Sequence, residues 1–247
     1  MKRSRFQGVA TIVRFNWHFF VIAAVGVALL LAAACFLPPL PSALAGFSAA
    51  ATALAVLVSL AASYIAYDAS GLYDLAWLAP WMPAAGAAAN LHAGFDETSV
   101  PLRSAHPALR WDILDFYDPA KHTEVSIRRA RAAHPPQPGT LSVRTAALPL
   151  PDASLDRALL LLAAHEIRDH AERVAFFREL RRTLRADGLV IVTEHLRDRE
   201  NLLAYNLGAW HFHTPAEWLA TFAEAGLVIV TRQKLNPFIT LFVLRPA

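Results

Sequence analysis

The pattern of apolar and polar positions divides the chain into two unlike parts. From residue 15 to residue 67 there is no Asp, Glu, Lys or Arg across 53 positions, and the turn-forming Pro38, Pro39 and Pro41 interrupt the stretch. Residues 17–37 form a run of 21 that rises about 31 Å as a helix, and residues 42–67 form a second of 26,. Each matches the ~30 Å hydrocarbon thickness of a bilayer, the longer one with some tilt. The pattern predicts a two-span helical hairpin in residues 1–67, a connector rich in aromatics at 68–86, and a globular domain at 87–247.

Beyond residue 68, strand-like and helix-like stretches alternate. Strands are predicted at 88–92, 111–117, 140–145, 155–162, 189–195, 227–235 and 239–244. Several are continuous apolar runs, the mark of strands buried on both faces. In residues 171–184, Val174, Phe177, Leu180 and Leu184 recur at helical spacing, and Asp187-Gly188 is the expected stop,. Thr214, Pro215 and Glu217 carry the signature of a capped helix start, and Gly226 its end,. Only Asn236-Pro237 joins the last two strands, so they form an antiparallel hairpin beside an otherwise parallel sheet,. The fold class is α/β.

Composition sharpens the division. Hydrophobic residues make up 55% of the chain and charged ones 17%, too apolar for a wholly water-facing protein,. Cys35 is the only cysteine, which excludes a disulfide framework and a cysteine-rich zinc module, and is expected as a small buried apolar residue,. Lys2, Arg3, Arg5 and Arg14 against Asp68 account for the net charge of +3, so the remainder is neutral and gives no footprint for nucleic acid,. Basic residues ahead of a first span stay on the cytoplasmic side, and two spans return the chain there, placing the C-terminal domain in the cytoplasm. Trp17, Tyr64 and Tyr67 stand where interfacial aromatics anchor a span. Ala43-Leu44-Ala45 also resembles a signal-cleavage site, and a buried soluble hairpin is the other alternative.

The run Leu148-Pro149-Leu150-Pro151-Asp152-Ala153-Ser154-Leu155-Asp156, followed by an apolar strand, His165-Glu166, an amphipathic helix, Leu184-Arg185-Ala186-Asp187-Gly188 and Leu189-Val190-Ile191-Val192, resembles the small-molecule branch of class I S-adenosylmethionine-dependent methyltransferases. The resemblance covers about residues 87–246. It implies a Rossmann-like sheet, S-adenosylmethionine as cofactor, and a ligand crevice beyond the carboxyl ends of the strands.

Carried over by position, the resemblance implies cofactor contacts at His92, Gly94 and Asp96 in the turn after the first strand, Asp118 after the second, and Ala147 and Leu148 after the third. That turn reads Asn90-Leu91-His92-Ala93-Gly94-Phe95-Asp96, with His92 and Asp96 where the family has glycines. His165, Glu166 and His195, at the ends of the fourth and fifth strands, are the expected acceptor-side groups, because methyl transfer to a hydroxyl needs alignment and a base active near neutrality. Together with His211 and His213 they could converge on a metal, but no ligand pair has a diagnostic interval and no metal is expected. Arg178, Arg181, Arg182 and Arg185 read as a solvated helix face.

Two functions follow. One is a membrane-tethered transferase whose partners are the lipid bilayer and a small apolar acceptor. The other is a membrane scaffold that keeps the fold and has lost the cofactor turn.

Overall fold

The computed structural model describes residues 3–247; Lys2, counted in the basic start, lies outside them. Helices α1 (Gln7–Ala34) and α2 (Pro39–Tyr64) form an antiparallel pair, with Ala45, Ala49 and Ala62 buried. Small side chains there let the two helices approach closely. Both are long and apolar enough to cross a bilayer, and almost nothing in their apolar windows is buried. Phe19, Ile22, Leu29, Leu40, Phe47 and Leu57 all face outward. Cys35, expected to be buried, is exposed at the hairpin turn.

The hairpin is bolted to the rest of the chain at one end. The Asp68 carboxylate accepts from the N–H groups of Gly8 (2.7 Å) and Val9 (3.0 Å), capping α1 across sixty residues of sequence. Gly8 has to be glycine there, because a Cβ would lie 2.4 Å from the Tyr67 Cβ. Arg129 donates to the Phe15 carbonyl at 2.8 Å. At Asn16 the backbone leaves helical geometry (φ −113°, ψ 18°), and the kink separates a docked first segment from the apolar remainder of α1,.

The sheet has seven strands in the order β3-β2-β1-β4-β5-β7-β6. They are β1 (Gly86–His92), β2 (Leu109–Asp115), β3 (Leu141–Ser142), β4 (Leu155–Leu161), β5 (Leu184–His195), β6 (Leu227–Asn236) and β7 (Ile239–Pro246). Strands β1 to β5 pair in parallel, and β7 runs antiparallel to both β5 and β6. All seven expected strands are present, with bounds shifted by a few residues and the third reduced to two.

Alternation along these strands feeds two cores. Ala158, Leu160, Val190, Val192, Phe242 and Leu244 face one side, where α5 (His170–Thr183) and α7 (Pro215–Glu224) bring Phe176, Phe177, Trp218 and Phe222. Leu159, Ile191, Leu241 and Val243 face the other, covered by Leu75, Leu78 and Leu102. The connector therefore packs on the sheet as short helical turns, with Leu102 supplied by α3 (Ser99–Ala105). Thr214 and Glu217 form the expected reciprocal cap, and Gly226 takes φ +73° past the end of α7. Asp187-Gly188 does not stop α5. That helix ends at Thr183, and residues 184–188 continue as the irregular start of β5, where the register with β4 shifts.

Candidate active site

Strand order reverses at β1, which lies between β2 and β4, so a crevice opens beyond the carboxyl ends of these strands,. Two cavities occupy it. One of about 300 Å³ is lined by His92, Gly94, Asp96 and the 133–138 segment that follows α4 (Val125–Ala133). The other, about 1040 Å³, runs from His92 past His165 and His195 to the hairpin, where Ile12, Phe15 and Val56 form part of its wall.

At the first turn, Gly94 takes φ +87°, and a Cβ would lie 3.0 Å from the Tyr117 ring. Its N–H donates to His92 Nδ1 at 3.3 Å. Asp96 accepts through Oδ1 from the N–H groups of Thr98 (3.0 Å) and Ser99 (2.9 Å), holding the entry to α3. This leaves Asp96 Oδ2 and His92 Nε2 buried without hydrogen-bond partners among the described residues, 4.0 Å apart. Burial lowers the pKa of His92 despite the nearby Asp96 and Asp115 carboxylates. A buried acceptor and a buried imidazole nitrogen, both unspent, fit the polar amino-acid end of S-adenosylmethionine.

Two carboxylates stand near the end of β2. The Asp118 carboxylate accepts from Ala120 N–H (2.9 Å), in a turn three residues beyond β2, and neither Asp118 nor Asp115 lines either cavity. The acidic residue at the strand end is Asp115, which is buried, accepts from Tyr117 N–H (3.0 Å), and is ion-paired with Arg131 of α4. After β3, the N–H of Ala147 is spent on Arg144 O (3.2 Å) and that of Leu148 on Glu179 (3.0 Å). Arg182, read as a solvated residue, clamps this loop by donating to the carbonyls of Leu148 and Leu150.

The acceptor side is a network of histidines and carboxylates. His165 Nδ1 lies 2.6 Å from Oε2 of Glu194, a fully buried residue that also accepts from His165 N–H at 3.1 Å. His165 Nε2 and His211 Nε2 approach the same Glu166 oxygen, at 3.6 and 3.7 Å. Burial pushes the Glu166 carboxyl up, but the close approach of His211 and the charges of His165, His211 and Arg168 outweigh this and hold it at about 2. His195 is separate. The Phe212 ring stacks on His195 (4.8 Å) and meets His165 edge-on (6.3 Å), standing between them. His195 Nδ1 faces Asn201 Oδ1 (3.0 Å), so its Nε2 accepts from the Tyr67 hydroxyl at 2.7 Å,. Burial lowers its pKa to about 4 despite the Asn201 contact, so it is neutral near pH 7. Tyr67 therefore turns inward instead of anchoring a span. His213 lies apart, against Arg173 and Trp218.

A family model described as a methyltransferase domain matches residues 120–192. The fold is that of class I S-adenosylmethionine-dependent methyltransferases, and the matched stretch is about a third of the chain. The match begins after the β1 turn, so the altered 90–96 segment lies outside it. Among solved structures, the chain resembles CalO1, a methyltransferase in calicheamicin biosynthesis solved with SAH bound (19% identity, TM-score 0.55, all of this chain and 74% of that one). It also resembles a SAM-dependent methyltransferase from Aquifex aeolicus (13%, 0.51, 70% and 89%) and the [4+2]-cyclase SpnF (14%, 0.50, 73% and 82%). No curated protein sequence matches the chain.

The sequence offers Asp115 beside Asp118 in the second strand, and it gives no signal for the pairing of Arg131 with Asp115 or of Tyr67 with His195, because those pairings are made across the fold.

Proposed function

We propose that the protein is a membrane-held methyltransferase acting on an oxygen of a lipid-soluble acceptor, which enters between the hairpin and the sheet. The carrying observation is the 1040 Å³ cavity, whose walls come both from Ile12, Phe15 and Val56 of the apolar helices and from His92 and His165 at the strand ends. An apolar body would lie along the helices with its polar end at the histidines. The exposed apolar flanks of α1 and α2 support burial in lipid, since a water-soluble hairpin would turn such side chains inward,. Arg3, paired with Glu97 at 2.9 Å, keeps the chain start on the domain's side, and with Arg5 and Arg14 supports a cytoplasmic domain,.

His92, Gly94 and Asp96 would hold the amino-acid end of S-adenosylmethionine, and Asp115 with Arg131, at the end of β2, would lie on its ribose side. The cofactor supplies a methyl group on a positively charged sulfur, which keeps the bond's electron pair. Glu166 orients the acceptor hydroxyl and His165 takes its proton on Nε2, the nitrogen left facing the cavity by the Glu194 contact at Nδ1,. His195 and Tyr67 shape the wall beside them.

The test uses the full chain in lipid nanodiscs, because Asp68, Glu97 and Arg129 join the hairpin to the domain and truncation would remove a cavity wall. Labelled methyl should pass from S-adenosylmethionine to a phenol bearing an isoprenoid tail at least tenfold faster than to the tail-free phenol. Val56→Trp should narrow the cavity and abolish that preference without altering cofactor affinity. Equal rates on both phenols would end the lipid reading, and absence of cofactor binding would end the enzymatic one. The second reading, a fold put to another use, is favoured by the replaced glycines at 92 and 96 and by a cyclase on the same fold.

A further inference from the structure

We propose that His165, Glu166 and His211 form a binding site for a divalent d-block cation, zinc foremost, at the polar end of the large cavity. One ligand atom from each residue lies within 4.8 Å of the others, and Glu166 Oε1 is 3.6 Å from His165 Nε2 and 3.7 Å from His211 Nε2. A tetrahedral zinc ion with bonds of about 2.0–2.1 Å sets its ligand atoms about 3.3 Å apart, so the two carboxylate–imidazole separations need shifts of a few tenths of an ångström, and the two imidazoles have to close by up to about 1.5 Å,. Two imidazoles and one carboxylate leave at least one coordination position, and all three residues line the cavity,.

The surroundings favour a metal over a simple ion-pair cluster. Each histidine has its Nδ1 held by a carboxylate, His165 by Glu194 at 2.6 Å and His211 by Glu124 at 2.8 Å. Glu194 fixes the Nδ1–H tautomer of His165 and turns its Nε2 toward Glu166, the outer arrangement by which proteins orient metal-binding histidines, whereas at His211 the Arg168 guanidinium meets both ring nitrogens, Nε2 at 2.9 Å, and an ion would have to displace it,. Glu194 is fully buried, so one of these supports sits in the rigid sheet. The competing cation is Arg168, which touches His211 and pairs with Glu124 at 3.0 Å. Its side chain also donates to the His211 carbonyl but is 39% exposed, so an ion would displace it into solvent.

The role of such an ion rests on the methyltransferase reading. An acceptor hydroxyl on the open position would be acidified by the metal and release its proton to water in the cavity, and His165 would then position the ion instead of taking the proton. The binding itself needs neither cofactor nor acceptor, so its test fails or succeeds independently of methyl transfer.

Full-length protein in detergent, stripped with chelator, is titrated with cobalt(II) as a spectroscopic probe. One equivalent should bind with visible ligand-field bands. His211→Ala and Glu166→Gln should lose those bands, and Glu194→Gln, which removes no ligand, should weaken binding by about 10–100-fold. His170→Ala, at an exposed histidine paired with Glu224, should bind as the parent does. Arg168→Ala keeps every ligand and removes the competing charge, so its affinity should rise at least threefold. It decides the matter should the ligand variants fail to fold, because unchanged affinity there overturns the proposal. Absence of stoichiometric cobalt uptake, or uptake by His165→Ala and His211→Ala equal to the parent's, overturns it as well.

Discussion

The two halves of the strand-end crevice are furnished in opposite ways. On the cofactor side the carboxylates are largely committed to the protein: Asp96 holds the start of α3 through one oxygen, Asp115 pairs with Arg131, and Asp118 closes a turn. On the acceptor side the carboxylates serve histidines. Glu194 and Glu124 hold Nδ1 atoms and leave the Nε2 atoms of His165 and His211 directed at Glu166. Residue type alone does not distinguish the halves, since both contain His and Asp or Glu. What differs is which atom is left over: a single carboxylate oxygen and one imidazole nitrogen at the cofactor turn, against a convergent set at the acceptor end.

That contrast is breakable. The largest expected effect is on turnover: His165→Ala should lower kcat by about 10²–10⁴-fold, the usual worth of a positioned acid–base group. His92→Ala should act mainly on cofactor affinity, measured by calorimetry. Equal effects on kcat would erase the distinction between the halves. Next in size, Glu194→Ala should cost about 3–5 kcal/mol in denaturant unfolding, because it strips a buried partner from His165.

His195 gives the pH dependence. Its folded pKa of about 4 lies below the ordinary 6.5, so the unfolded chain binds a proton between these values and the folded one does not,. Its share of stability, about 3 kcal/mol, is complete above pH 6.5 and is lost as the pH falls toward 4. Melting curves of His195→Gln should be flatter across that window than those of the parent. Smaller still, Gly94→Ala should cost about 1–3 kcal/mol, because a Cβ at φ +87° meets the Tyr117 ring,. Asp118→Asn should change cofactor affinity less than twofold while Asp115→Asn weakens it more, as read by the same calorimetry. The reverse order would restore Asp118 as the ribose contact.

Much of the scaffold was legible in the chain because it depends on local periodicity. The doubly buried strands appear as apolar runs, the Thr214–Glu217 cap lies within four residues, and Asn236-Pro237 leaves room only for a hairpin. The site was legible only in part. His165-Glu166 sits in a recognisable run, but His211 meets it from beyond β5, and no interval records that meeting. Tyr67 had an apolar context that suited a membrane anchor, and its hydroxyl found His195 instead, 128 residues away.

What the amino-acid order determined by itself is the division into an apolar hairpin and an α/β domain, because burial follows from side-chain type at fixed spacing. Tertiary structure decided which charged groups remain available for chemistry. A buried carboxylate or imidazole must find a partner wherever the fold supplies one, and such partners as Arg131 for Asp115 and Glu194 for His165 are assigned by the packing of distant elements,.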